Sequence, residues 1–288
     1  MALASRVEAA LQLAIERADT QTAPPLLVKA LRYSVFPGGA RVRPLLCLAV
    51  AHACGDDQPA ISDAAAAAVE LMHCASLVHD DLPCFDNAAT RRGKPSVHAT
   101  YGEPIALLAG DALIVMAFES LALAGAAAPL RLAPLIGTIA RGVGAPSGIV
   151  AGQAWESEPS APLEIYHQAK TGALFVAATM SGALASGADA GPWRALGETL
   201  GAAYQVADDL LDAVQGGECD KPVGQDALLQ RPSAVATHGI KGALAQLNDL
   251  VEQAVESVPP CEGAQEMRAL VRLTAMRLAP KQLARSAA

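Results

Sequence analysis

The sequence predicts an all-α chain folded as a single domain over residues 1–288. Three observations lead there. Hydrophobic residues make up 52% of the chain but aromatics only 3%. The apolar mass is therefore mostly Ala, Leu and Val, which suits closely packed helices better than sheets. Clusters of Gly and Pro divide the chain into stretches of about 11 to 25 residues with helical spacing. Alternating β-branched runs bounded by turns, the mark of strands, are absent.

The elements follow in order. The opening MALASRVEAALQLAIERAD carries Arg6, Glu8 and Glu16 at helical spacing. It reads as an amphipathic helix and not as a signal peptide with an unbroken apolar centre. Breaks follow at Pro37-Gly38-Gly39, Gly55 to Pro59, Gly93-Lys94-Pro95, Pro129, Gly144 to Gly148, Pro159 to Pro162, Gly187 to Pro192, Gly216 to Gly224 and Pro259-Pro260. Between them, Ile61 to Asp81 places Val69, Met72, Ser76 and Asp80 close to one stripe. Leu163 to Leu184 and Trp193 to Val214 are further helical stretches. No fixed-period repeat and no low-complexity linker divides the chain. The expectation is ten or more helices around one core.

Charge narrows the partners. Lys and Arg number 21 against 29 Asp and Glu, a formal net of −8. A nucleic-acid binder needs a basic face, and docking on anionic lipid needs a polybasic patch. The most apolar stretch, Ile105 to Gly125, is interrupted by Asp111 and Glu119, so no membrane span is expected. The six cysteines (Cys47, Cys54, Cys74, Cys84, Cys219, Cys261) include no CxxC pair. They read as reduced thiols in a cytoplasmic protein.

Two acidic clusters stand out. The first is His79-Asp80-Asp81-Leu82-Pro83-Cys84-Phe85-Asp86. The second is Gln205-Val206-Ala207-Asp208-Asp209-Leu210-Leu211-Asp212. Both end strongly apolar stretches. Asp208 and Asp212, four apart, share a helix face, with Asp209 about 100° round. Like charges so placed repel unless a cation offsets them. Oxygen ligands suit Mg²⁺, which is commonly held by carboxylates together with substrate phosphates. No matching His/Cys set for zinc is present. Pro83 should bend or end the first helix and let Asp86 swing back toward Asp80 and Asp81.

Basic residues accompany these acids. Arg91-Arg92-Gly93-Lys94-Pro95-Ser96-Val97-His98 follows the first cluster, and Gly38-Gly39-Ala40-Arg41-Val42-Arg43-Pro44 precedes it. A Gly-rich turn entering a helix offers free N–H groups to an anion, and Arg offers forked donors to phosphate. Lys170-Thr171-Gly172, Lys221 and Arg231 lie further on.

Together these segments, with AGDAL (Ala109–Leu113), GQAWE (Gly152–Glu156), KTGALF (Lys170–Phe175) and YQVADDLLD (Tyr204–Asp212), resemble the trans-prenyltransferases, the head-to-tail isoprenyl diphosphate synthases or polyprenyl synthetases. The resemblance covers essentially the whole chain. It is strongest to the geranylgeranyl diphosphate synthases of plants and of bacterial carotenoid pathways. It implies the isoprenoid synthase fold: a single-domain helical barrel around a deep central cavity, homodimeric. It also implies three Mg²⁺ per site, bridging the clusters to an allylic diphosphate, either dimethylallyl, geranyl or farnesyl. Asp80, Asp81 and Asp86 would hold one side, and Asp208, Asp209 and Asp212 the other. The allylic C–O bond ionises, isopentenyl diphosphate attacks the cation, and a proton leaves to the departed diphosphate.

The remaining roles also follow from the resemblance. Arg91 would contact the allylic diphosphate. Arg92, Arg43 and His98 would bind isopentenyl diphosphate. Lys170, Thr171 and Gln205 would line the cation region, and Lys221 and Arg231 would close over the site. Three positions depart from the family pattern. Ala40 stands where Lys is usual, with Arg41 as the candidate substitute. Glu156 stands where Asp is usual, and Gln225 where Lys is usual.

Product length is read from the first helix. Ala75 and Ser76 precede Asp80 by five and four residues, about 6–8 Å deeper. Farnesyl-type relatives place a bulky aromatic at one of them. Both are small here, so elongation should pass C15, with Met72 or Phe118 as a later floor. The expected product is geranylgeranyl diphosphate (C20), against a farnesyl (C15) alternative. A class I terpene cyclase, a non-catalytic synthase subunit and a His-Asp phosphohydrolase built on His73, His79 and Asp80 are the other readings. The intact second cluster and the RRGKPSVH segment count against the cyclase, and the retention of both clusters counts against the subunit. The third lacks its remaining metal ligands.

Overall fold

Proline opens many of the helices. Pro25, Pro59, Pro104 and Pro129 sit at first-turn positions, where a missing N–H costs nothing. The computed structural model describes residues 2–160, 162–214 and 233–278. Its helices are α1 Leu3–Ala18, α2 Pro25–Val35, α3 Val42–Ala53, α4 Pro59–Asp80, α5 Val97–Tyr101, α6 Glu103–Gly125, α7 Pro129–Val143 and α8 Ile149–Trp155. The short α9, Leu163–His167, runs through a π-helical turn, Gln168–Gly172, into α10, Ala173–Ala185. A 3₁₀ turn, Gly191–Trp193, leads into α11, Arg194–Val214. Then come α12, Ala234–Glu256, and α13, Ala264–Leu278. The backbone of α12 breaks at Gly239, which has positive φ.

One small hairpin departs from the helical expectation. β1, Thr90–Arg91, pairs antiparallel with β2, Lys94–Pro95. Arg92 and Gly93 between them both have positive φ. That is the signature of a type I′ turn, whose twist matches paired strands. Two-residue strands are too short to show alternation in sequence.

α4 is the axis of the fold. It packs against α1, α3, α6 and α10, and its Ala64–Ala68 run is buried throughout. Small side chains there let the neighbouring backbones approach closely. Leu71, Met72, Leu113, Leu121, Leu135, Ile139 and Leu174 complete the main core around it. A second core joins α3, α10, α11 and α13 around Phe175 and Trp193. A third lies between α11 and α12 around Leu210 and Leu247.

By length and composition α4 and α6 could each cross a membrane. They pack against each other, and α4 spends its apolar residues on the core. α6 is two-sided: Leu113, Ala117 and Leu121 are buried, whereas Leu107, Leu108, Val115 and Leu123 are exposed.

Candidate active site

The first acidic cluster forms where α4 ends. Asp80 is its last residue and Asp81 its C-cap. The chain then folds back: Asp86 N–H donates to the Asp80 carbonyl (3.0 Å) and Ala88 N–H to the Asp81 carbonyl (3.2 Å). Pro83 falls within this turn, and Asp86 comes to lie beside Asp80.

The cluster is divided in its contacts. Asp80, Asp86 and Glu156, the residue that caps α8, each offer an oxygen within 4.8 Å of the others. The Oδ1 atom of Asp80 is buried without a hydrogen-bond partner and lies 3.6 Å from Lys170 Nζ. A hard carboxylate set with an orphaned oxygen fits Mg²⁺. Asp81 points elsewhere. It is 2% exposed and accepts from Arg91 Nε (2.9 Å) and Nη2. Burial pushes the Asp81 carboxyl up, against the pull of Arg91. Asp81 is thus held by Arg91, while the oxygens that gather where a metal could be held are those of Asp80, Asp86 and Glu156.

The π-helical turn links this cluster to the second. From it, Lys170 reaches Glu156 Oε1 and Asp80. The next residue, Thr171, donates to Gln205 Oε1 (2.9 Å), and Gln205 Nε2 donates to Asp209 Oδ1 (3.0 Å). Asp209 also accepts the Ala234 N–H at the start of α12 (2.7 Å). Burial pushes its carboxyl up. Both Asp209 oxygens are thus engaged by protein donors, so Asp209 serves as the α12 anchor. Asp208 and Asp212 are the other two carboxylates of the cluster on α11.

A basic group lines the site from α3, α4 and the hairpin. The Arg43 guanidinium stacks on Phe175 (4.5 Å) and Tyr204 (5.3 Å). Its Nε is buried without a partner. Burial lowers its pKa, and Asp208 is among the charges acting on it. Arg92 lies over Gly39, where an added Cβ would come within 2.8 Å of the guanidinium. His73 belongs to this group too. Burial holds its pKa well below the usual value, and Arg43, Arg92, Arg91 and Arg41 push it the same way. His73 was weighed only within the phosphohydrolase reading, although it precedes Asp80 by seven residues, two helical turns, and so shares its face. Tyr166, whose hydroxyl donates to Glu156 Oε1 (2.6 Å), carries no comparable signal.

Two of the basic residues make structural contacts. Arg41 is 7% exposed. It donates to Glu8 (2.8 Å), Glu70 (2.7 Å) and the Val35 carbonyl (2.7 Å). It ties α1 to α4 and does not replace the lysine missing at Ala40. His98 Nε2 meets the Ala88 carbonyl at 2.9 Å, so it braces the acidic turn. Lys221, Arg231 and Gln225 lie outside the described residues.

The residues expected to set product length lie where α4 meets the core. Ala75 and Met72 are buried. Ser76 is half-buried, its hydroxyl on the His73 carbonyl (2.8 Å). Phe118 on α6 is half-buried against the main core.

A family model described as polyprenyl synthetase matches residues 24–271. The chain is 54% identical over 285 residues to a geranylgeranyl diphosphate synthase of Cereibacter sphaeroides, covering 99% of both chains. It is 54% identical over 279 residues to that of Rhodobacter capsulatus, covering 96% of both. Among solved structures, a geranyltransferase of Helicobacter pylori complexed with magnesium and isoprenyl diphosphate superposes with a TM-score of 0.81. That pair shares 31% identity, with 96% of each chain covered.

Proposed function

Because this chain belongs to the polyprenyl synthetase family, we propose that it condenses isopentenyl diphosphate head-to-tail with allylic diphosphates to give geranylgeranyl diphosphate. One observation carries the reading: Asp80, Asp86 and Glu156 gather oxygens suited to a hard cation, and Arg43, electrostatically coupled to Asp208 of the second cluster, keeps a buried Nε without a protein partner, suited to diphosphate. Near-full-length identity to two geranylgeranyl diphosphate synthases supports the C20 product. The small Ala75 and Ser76 leave the way past C15 open.

Each side chain then has a task. Asp80, Asp86 and Glu156 would hold Mg²⁺ on one side, and Asp208 and Asp212 on the other, with three ions as the family expectation. When bound, Mg²⁺ supplies Lewis-acid charge that helps the allylic C–O bond break. Arg91 holds the allylic diphosphate. Arg43, Arg92 and His98, with His73 near the two arginines, hold isopentenyl diphosphate and aim its double bond at the allylic carbon. The Thr171 and Gln205 oxygens, with the Lys170 segment, line the region where positive charge develops. The proton lost after attack passes to the departed diphosphate, so no activated Ser, Cys or His is required.

The whole chain, residues 1–288, is read as one domain acting in the cytoplasm. The exposed Leu107, Leu108, Val115 and Leu123 on α6 support a homodimer built across that helix. Incubation with Mg²⁺, isopentenyl diphosphate and labelled dimethylallyl diphosphate tests the activity. Pyrophosphate release that a chelator abolishes, with a longer prenyl product, is expected. No release with any allylic primer would overturn the reading.

A further inference from the structure

We propose that Cys54 and Cys261 form a reversible disulfide that clasps the loop between α12 and α13 to the end of α3 when a low-molecular-weight disulfide oxidises the chain. Cys54 is the C-cap of α3, at the far end from Arg43, about 16 Å along the helix. Cys261 lies in the loop that joins α12 to α13. Both are free thiols.

The backbone brings the two together. Gly263 N–H donates to the Ala53 carbonyl (3.4 Å). An added Cβ at Gly263 would come within 2.6 Å of the Ala53 Cα. The loop therefore touches α3 one residue from Cys54 and two from Cys261. Both half-buried side chains pack on the second core, which holds Trp193. Burial pushes the Cys54 thiol up to about 11, the neighbouring Cys261 adds to the rise, and a hydrogen bond from Trp193 opposes it. A bridge needs Cα atoms about 4.4–6.8 Å apart, and the loop has only to close on a contact already made. The other described cysteines are placed differently: Cys47 and Cys74 are buried, and Cys84 lies exposed in the acidic turn.

The raised Cys54 thiol is the poorer nucleophile, so Cys261 attacks first. It gives up its proton and attacks one sulfur of oxidised glutathione. The old S–S bond breaks, and one glutathione leaves as a thiol, taking up a proton. The Cys54 sulfur, deprotonated in turn, attacks the Cys261 sulfur of the mixed disulfide and releases the second glutathione as a thiol. Two protein thiols are oxidised, and one disulfide is reduced to two thiols. α12 is then fastened at both ends: by Asp209 on the Ala234 N–H at its start, and through the Cys261 loop at its end. A bridge between residues so far apart in the chain removes much of the freedom of the unfolded state.

Incubation of the full chain with oxidised glutathione, alkylation of the remaining thiols and peptide mass spectrometry test this. A Cys54–Cys261 linked peptide that dithiothreitol removes is expected. The oxidised chain should melt about 5 °C or more above the reduced one. Cys84→Ser and Cys219→Ser should keep both results, and Cys261→Ser should lose both. Glutathione adducts with no linked peptide, or linkage of either cysteine to a different partner, overturn the proposal. So does a melting temperature that oxidation leaves unchanged or lowers. Should Cys261→Ser fail to fold, the peptide map of the unmodified chain decides alone. Neither readout depends on prenyltransferase activity.

Discussion

Arg43 is held by two aromatic faces and has a buried Nε with no protein partner. A buried donor left unmet is costly, and a diphosphate oxygen would meet it. Arg43→Lys keeps the charge but loses the stacked fork. It should raise the KM for isopentenyl diphosphate about 10- to 100-fold, with a much smaller effect on the allylic substrate; equal effects on both would count against this assignment. His73 gives a pH signature. Its folded pKa is depressed, so below about pH 6.5 the unfolded chain binds a proton that the folded chain refuses. Stability is therefore lost as pH falls through that range. Urea midpoints at about pH 7.5 and about pH 5.5 should show a loss on acidification that His73→Gln reduces. At this scale the sequence displayed residue types but not partners. The aspartates were legible because acids in apolar surroundings need a cation. Arg41 looked like an anion contact, yet Glu8 and Glu70 claim it. Asp81 and Asp209 were indistinguishable from their neighbours until Arg91 and the Ala234 N–H were seen to engage them.

Among the elements, close backbone approach sets the geometry of the acids. Gly110 on α6 lies against the His79 ring, where an added Cβ would come within 2.0 Å of Nε2. Gly152 on α8 lies against Lys170, with an added Cβ 2.4 Å from its backbone. Gly152→Ala should separate Glu156 from Lys170, cost about 1–3 kcal/mol of stability and raise the Mg²⁺ concentration needed for half-maximal rate. A thermal melt and a Mg²⁺ titration check both effects, and a variant that melts and titrates like the parent would contradict this role. The helices were legible from spacing and breakers. The π-helical turn was not: Gln168–Gly172 has the composition of ordinary helix. Its extra residue shows only in hydrogen bonding, although such turns often mark functional sites. The hairpin at Arg91–Lys94 was hidden by its shortness.

For the molecule as a whole, the acidity and the scarcity of aromatics take on meaning. The six aspartates of the two clusters account for most of the net −8, so the charge is concentrated where a cation is to be held. The exposed apolar residues of α6 remain after the core is filled. Val115, 66% exposed, lies among them. Val115→Glu should shift the molecular mass in light scattering from dimer toward monomer; a dimer unaffected by this change would place the interface elsewhere. The low aromatic content matters most at Ala75 and Ser76, where a ring would stop the growing chain. Mass spectrometry of the wild-type product, made from isopentenyl diphosphate and dimethylallyl diphosphate with Mg²⁺, tests that claim most directly. Geranylgeranyl diphosphate, C20, is the predicted product. Accumulation of farnesyl diphosphate, C15, with no longer product, would contradict it.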